Sequence, residues 1–450
     1  MARVTPRLSL CYNHSNAQRG LGAANPPRTA RARSLTMGIK IGLVGLGSFG
    51  GCFAHLFTSH PLVDAVALCD AQPEKLANWK QWLAYSGKVA DRDVYESFDD
   101  ICNSDCDALA IITQPMLHAP QAIQAMKCGK DVYSAVPVIC LPDDEEMLDW
   151  CGKIIDTTLA TGKHYMLGET TYYRPQTMFC RRKFKAGEFG KVVYAAAEYA
   201  HDVDCFGCSL REVSKSRNTG VIGSQLAAKL KPYYDRGLKS HPMNYPTHSV
   251  SGPLSVMGDT YALKVSAYGI ANQFGKADPH FAHMDFSSIV ALFQLANGVP
   301  FRVAELREIC PGIGLRDEDF RMYGTRGAYA YNKWGDNGRV EFNTEKKAVV
   351  EKDVSDAEMR DPLPPEVAAA YKKVLQPDAK PGDDFVPQGH GGSHPYLANE
   401  FVTSVYERRR PAIDIWKASS YMAMGVAAHK SAQKDGEIVK VFDFGRTPAE

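Results

Sequence analysis

The first third of the chain alternates short apolar runs with longer amphipathic stretches. Ile39–Val44, Ala65–Cys69, Ala108–Thr113, Asp131–Ser134 and Lys163–Leu167 read as strands. Pro120–Cys128 and Asp143–Ala160 have helical spacing between them. Apolar strands alternating with amphipathic helices predict a doubly wound parallel sheet with both faces covered. The pattern then changes. Lys191–Ala200, Tyr261–Gly269 and Ser287–Leu295 are β-rich, and Asn297-Gly298 separates Ile289–Leu295 from Phe301–Leu306, which predicts a hairpin with a type I′ turn. Phe320–Tyr323 and Ala328–Tyr331 flank Gly324-Thr325-Arg326-Gly327 as a second hairpin. Successive hairpins predict a large open antiparallel sheet in a C-terminal α/β domain. Leu363–Gly389, rich in Pro, Asp and Lys, reads as a surface excursion, and helices at Tyr396–Glu407 and Trp416–Ser431 close the chain. The expected division is an extension at 1–36, a Rossmann domain at 37–165, and a substrate-binding and oligomerisation domain at 166–450.

Composition narrows the classes. The 450 residues carry 52 Lys and Arg against 51 Asp and Glu, a net charge of +1. That balance gives no electrostatic reason to expect a nucleic-acid or membrane-surface partner. No apolar run approaches the roughly 18 residues of a spanning helix. The twelve Cys are scattered, as reduced cytoplasmic thiols would be. Residues 1–36 hold six Arg and no Asp, Glu or Lys. They read either as a transit-like segment or as sequence upstream of a true start at Met37.

Chemistry enters directly after the first strand. Gly45-Leu46-Gly47-Ser48-Phe49-Gly50 is a full G-x-G-x-x-G opening a helix. Gly45 permits the tight turn, Gly47 lets backbone approach a pyrophosphate, and Gly50 lets helix and strand pack closely. The second strand ends in Asp70, about 20 residues further on, where an acid can bind the ribose hydroxyls of a dinucleotide. No Arg stands beside it to hold a 2′-phosphate, so NAD is expected over NADP. Ligand-facing residues should lie beyond the strand ends, at Thr113, Gln114, Pro115, His118, Ser134–Pro137 and Glu169.

Thr113-Gln114-Pro115…His118, followed by Gly129-Lys130-Asp131-Val132, resembles the Gfo/Idh/MocA family of sugar and polyol oxidoreductases. The likeness runs from about Gly38 to Phe444. It implies a Rossmann domain, an open-sheet second domain, a carbohydrate substrate and paired subunits. Where that family carries Glu-Lys-Pro, with a catalytic Lys, this chain has Ala135-Val136-Pro137. The NAD-dependent glycosidase branch, glycoside hydrolase family 109, also lacks the Lys. Several motifs are similar to that branch: Glu169 with Tyr172 or Tyr173, Tyr199-Ala200-His201-Asp202, Tyr245-Pro246-Thr247-His248, and His390-Gly391-Gly392. The branch's Trp-Arg and Gly-Asn segments are absent ahead of Tyr245.

The resemblance implies that Val136 and Pro137 border the cofactor and that Glu169, Tyr173 and His390 contact the sugar. Tyr199 and His201 share one strand face, and with Tyr245 and His248 they form the expected catalytic set. His248 is the expected general base. Asn244 stands where the dehydrogenases have Asp, so a neutral His248 imidazole would rely on Tyr245, a main-chain carbonyl or solvent. No metal is expected, since His201-Asp202-x-Asp204-Cys205-x-x-Cys208 contains a single Cys-x-x-Cys. Three readings stay open: a glycosidase that oxidises, eliminates and re-reduces with NAD recycled; a plain sugar or polyol dehydrogenase; and a non-catalytic NAD-binding regulator. A homo-oligomer is expected in each.

Overall fold

The computed structural model describes residues 38–203, 220–244, 246–272, 281–309, 318–336 and 350–449. The first sheet is built from β1 (Ile39–Val44), β2 (Val63–Cys69), β3 (Val94–Tyr95), β4 (Ala108–Ile111), β5 (Asp131–Ser134) and β6 (Tyr165–Leu167). All neighbours are parallel and the order is β3-β2-β1-β4-β5-β6. Every residue of β1 and β4 is buried, as a strand covered on both faces requires. Local chemistry sets the ends of the helices. Asp143 caps helix Asp144–Thr161 by accepting from the N–H groups of Glu145 and Glu146, and Gly162 leaves it at φ 65.

The second sheet has nine strands: β7 (Val192–Ala200), β8 (Ala262–Ala271), β9 (Phe286–Leu295), β10 (Pro300–Leu306), β11 (Glu318–Gly324), β12 (Gly327–Ala330), β13 (Lys333–Asp336), β14 (Val350–Asp353) and β15 (Val439–Lys440). Their order is β14-β13-β12-β11-β7-β10-β9-β8-β15. Both predicted hairpins are present, but the sheet is mixed, because β10 runs parallel to β7. The β9–β10 turn also differs from type I′. Gly298 alone has positive φ, its N–H donates to Leu295 O, and the Asn297 side chain accepts from Val299 N–H. That is a type I turn closed by a left-handed glycine.

The expected surface excursion is more ordered than its composition suggests. Pro365–Leu375 is a helix that buries Val367 and Tyr371, the latter packed on His60 and Phe385. Helix Ile415–Ala432, buried along nearly its whole length, joins the halves by packing on helix Asp144–Thr161, β6 and β8. Among the described residues no helix is long and apolar enough to cross a membrane.

Candidate active site

Two constructions meet here. The first is the glycine turn. Gly45 has φ 91, and a Cβ there would lie 2.2 Å from Ile112 O. A Cβ on Gly50 would lie 1.9 Å from Gly45 O, whereas one on Gly47 would meet nothing within 4 Å. Gly45 and Gly50 are thus glycine for packing, and the space over Gly47 is open. Helix Ser48–Ser59 begins with no side-chain cap, leaving its first N–H groups and positive dipole end available to a phosphate. Asp70 closes the far side: Oδ2 accepts from Leu46 N–H at 2.8 Å and Oδ1 from Gln72 N–H at 3.0 Å. Gln114 Oε1 is buried without a hydrogen-bond partner beyond β4. These features fit a dinucleotide, with an open backbone turn, an uncapped helix end and an acceptor awaiting a donor.

His118 is placed differently from expectation. Its ring nitrogens meet the carbonyl oxygens of Pro137 (2.8 Å) and Thr113 (3.2 Å), so it braces the two loops against each other. Thr113 Oγ1 donates to Gln121 at 2.5 Å, and Val136-Pro137 is a cis peptide.

The second construction is a charged cluster under helix Thr247–Val256. In register across the sheet, Tyr199 on β7 faces Glu305 on β10 and Glu318 on β11. His248 and Ser249 descend onto this row. Glu169, fully buried after β6, places Oε1 3.0 Å from His248 Nδ1 and accepts on the same oxygen from Thr171 N–H and Oγ1. Glu318 pairs with Arg174 at 2.7 Å and approaches His248 Nδ1 at 3.8 Å. Glu305 pairs with Arg307 at 2.7 Å and accepts from the Ser249 hydroxyl. Tyr199 Oη lies 2.6 Å from His201 Nδ1, and its ring packs edge-on against His248 at 4.9 Å.

Two carboxylates set the state of His248. Glu169 and Glu318 lie 3.0 and 3.8 Å from its Nδ1, and both favour the imidazolium. Burial pulls the His248 pKa down, but Glu169 and then Glu318 pull harder, and the result is about 9. Glu169 shows the matching effect: burial raises it, His248 lowers it, and it ends below its usual value. Nδ1 of His248 is thus held by the Glu169 carboxylate, which favours the imidazolium over the neutral ring. Glu305, most deeply affected by burial, is pushed up to about 7.

The other expected residues fall as follows. Tyr173 stacks on Tyr396 at 6.2 Å and edge-on against Tyr172. His390 contacts Phe49 of the glycine motif edge-on at 5.4 Å and His394 Nε2 at 2.9 Å. The turn at His390–Gly392 therefore reaches the phosphate loop. Tyr245, and Asp204–Cys208 of the Cys-x-x-Cys segment, lie outside the described residues. Glu305, Glu318, Arg174 and Arg307 were not expected as site residues. Their signal was parity: Glu305 falls in step with buried Phe301 and Val303, and Glu318 with Phe320 and Met322.

A separate joint lies outside this cluster. Asp144 accepts from His241 Nε2 (3.0 Å) and His429 Nδ1 (2.9 Å), whose rings stack at 3.7 Å. Near-parallel stacked rings do not converge their lone pairs on one point, so the trio reads as a clasp between helix Asp144–Thr161, the segment leading to His248, and helix Ile415–Ala432.

Residues 39–152 match the family model for the oxidoreductase family GFO_IDH_MocA, NAD-binding Rossmann fold. Over that stretch the chain carries the NAD-binding Rossmann fold of the Gfo/Idh/MocA oxidoreductases. Over most of its length the chain is similar to glycosyl hydrolase family 109 proteins. It is 25% identical over 427 residues to a glycosyl hydrolase family 109 protein of Solibacter usitatus, covering 91% of this chain and 88% of that one. It is 23% identical over 432 residues to an alpha-N-acetylgalactosaminidase of Tannerella forsythia, covering 91% and 86%. Scyllo-inositol dehydrogenase of Lactobacillus casei, with NAD(H) and scyllo-inositol bound, shares the fold at TM-score 0.57 and 17% identity, covering 90% and 99%.

Proposed function

We propose that this site acts on a carbohydrate hydroxyl with bound NAD, and that it cleaves a glycoside without net redox change. Gly45–Gly50 and Asp70, with the Thr113–Pro115 and Val136-Pro137 loops, would hold the dinucleotide. NAD supplies a two-electron acceptor there. His248 Nε2, charged because of Glu169, donates a hydrogen bond to a substrate oxygen and stabilises negative charge on it. Tyr199, backed by His201, exchanges the hydroxyl proton.

The observation carrying this reading is the 3.0 Å Glu169–His248 pair beside the 2.6 Å Tyr199–His201 pair. An acid and a separate proton acceptor are what reversible oxidation next to a leaving group requires. The chain's alignment with glycosyl hydrolase family 109 relatives, and Val136 in place of the dehydrogenase Lys, favour the glycosidase reading. The test is a panel of free sugars and aryl glycosides offered to NAD-loaded protein. Release of the aryl group without net NADH is the expected result. Steady NADH from a free sugar would instead establish the dehydrogenase, and NAD binding without any turnover the regulator.

We also take the enzyme to be cytoplasmic and to pair through the open face of the second sheet. On that face Tyr268, Ile270, Val290 and Leu292 are exposed.

A further inference from the structure

Tyr199 lies between charged groups on every element packed against it. Glu305 and Arg307 approach from β10 and the residue beyond it, Glu318 from β11, and His248 from helix Thr247–Val256. His201 follows on its own chain segment, and Arg174 holds Glu318 from behind. One of these contacts differs in kind. The Arg307 guanidinium lies face-on to the Tyr199 ring, with its carbon 4.3 Å from the ring centroid. Nη2 donates to Glu305, and Nη1 donates to the carbonyl oxygens of Tyr199 and Leu306 at 3.2 and 3.3 Å. The Arg307 side chain is 6% exposed. A cation so fixed and desolvated is at the strong end of cation–π interactions.

We propose that Arg307 is a positioning residue acting through Tyr199: its guanidinium stabilises the phenolate, making the Tyr199–His201 pair the proton acceptor of the site. Ionisation spreads negative charge into the ring, so a cation on the ring face favours phenolate over phenol. The transfer balances without a further reactant. The Tyr199 O–H bond breaks and its proton moves to His201 Nδ1, leaving phenolate and imidazolium. A phenolate lone pair then takes the substrate hydroxyl proton, leaving alkoxide beside the His248 donor. This supplies the acceptor that a protonated His248 cannot be.

The catalytic use of the pair rests on the carbohydrate reading above, but its test does not. Tyrosinate absorbance is titrated on full-length protein, and the Tyr199 signal is taken as wild type minus Tyr199→Phe. The wild-type midpoint is the reference for the variants. Arg307→Met should raise it by about 1 unit or more, the size of effect a close charge has. Arg307→Lys, which keeps a charge for Glu305, should give a smaller rise. Because Arg307→Met leaves Glu305 buried without its partner, Glu305→Gln with Arg307→Met is the paired control that removes both charges. The double variant is compared with Glu305→Gln alone, so that only the guanidinium differs; a Tyr199 midpoint equal in those two proteins overturns the proposal. Since neither NAD nor sugar is present, a panel that finds no substrate would count against the carbohydrate reading and leave this result standing.

Discussion

Glu169 Oε1 and His248 Nδ1 are 3.0 Å apart, although 79 residues separate them in sequence. The carboxylate partner expected four residues before the histidine is absent, because Asn244 occupies that position, buried with Oδ1 unpartnered. The role has moved to the loop after β6. The consequence is a charge, since an amide at the old position cannot hold imidazolium and a buried glutamate can.

Replacing Glu169 by Gln keeps the hydrogen-bonding shape and removes that charge. The His248 midpoint should then fall from about 9 toward or below neutrality, because burial would act with only Glu318 and Glu305 opposing it. Histidine-resolved NMR titration of the variant and wild type measures this. A midpoint remaining near 9 would show that Glu318 and Glu305 set the state of His248 without Glu169.

Stability should peak near pH 6.5 and fall on both sides. Burial holds His241 and His60 at about 4 and His394 at about 3, so the fold keeps them neutral. Between about 6.5 and 4 the unfolded chain binds protons that the folded chain refuses, and stability drops as pH falls. Glu305, at about 7 when folded, works in the opposite direction over that window, one carboxyl against three histidines. On the alkaline side His248 keeps its proton to about 9 in the fold but loses it near 6.5 when unfolded, so its contribution fades as pH rises through 9. Urea midpoints at pH 4.5, 6.5 and 9.5 check both limbs, and a midpoint still rising at pH 9.5 would contradict the assignment.

Much of the first domain was legible because parallel strands buried on both faces leave long apolar runs, and the glycine turn has a fixed spacing. β1 and β5 fall where the pattern places them, while β4 stops at Ile111 rather than Thr113. The cluster was harder to read because it assembles residues from β6, β10, β11 and helix Thr247–Val256, and pairwise charge has no sequence periodicity. Glu305 and Glu318 did leave a trace, as acids in step with the apolar core positions of their strands. The protonation of His248 left none, since it depends on a partner 79 residues away.

The open sheet face predicts association. Val290 and Leu292 are exposed on β9, beside Tyr268 and Ile270 on β8. Wild-type protein should sediment as an oligomer at micromolar concentration. Val290→Lys with Leu292→Lys should shift it toward monomer, since like charges would face each other across a two-fold contact. A wild-type monomer would remove the pairing proposal.

Asp70 links cofactor choice to loop geometry, because the same carboxylate that would meet the ribose accepts from Leu46 N–H. Asp70→Ala should weaken NAD by about tenfold or more, the cost of losing one or two charge-assisted hydrogen bonds. NADP should weaken much less, since repulsion of its 2′-phosphate is relieved at the same time. Fluorescence titration with both cofactors decides, and equal losses would mean that the acid only shapes the turn.

The two glycines at 47 and 50 separate a folding role from a binding role. An alanine at 50 would put its Cβ 1.9 Å from the Gly45 carbonyl oxygen, with backbone on both sides of the clash. Overpacking of that kind costs about 1–3 kcal/mol, and Gly50→Ala should lower the unfolding midpoint visibly. Gly47 has φ −73 and ψ −172, ordinary values for alanine, and its added Cβ would meet nothing within 4 Å. Gly47→Ala should therefore fold within about 0.5 kcal/mol of wild type. If a pyrophosphate crosses the open space over Gly47, the methyl group occupies it, and NAD affinity should fall at least about tenfold, a steric cost of about 1.4 kcal/mol. Unfolding and NAD-binding measurements on the two variants should thus diverge, with stability lost in one and affinity in the other. Unchanged NAD affinity in Gly47→Ala would place the phosphates elsewhere.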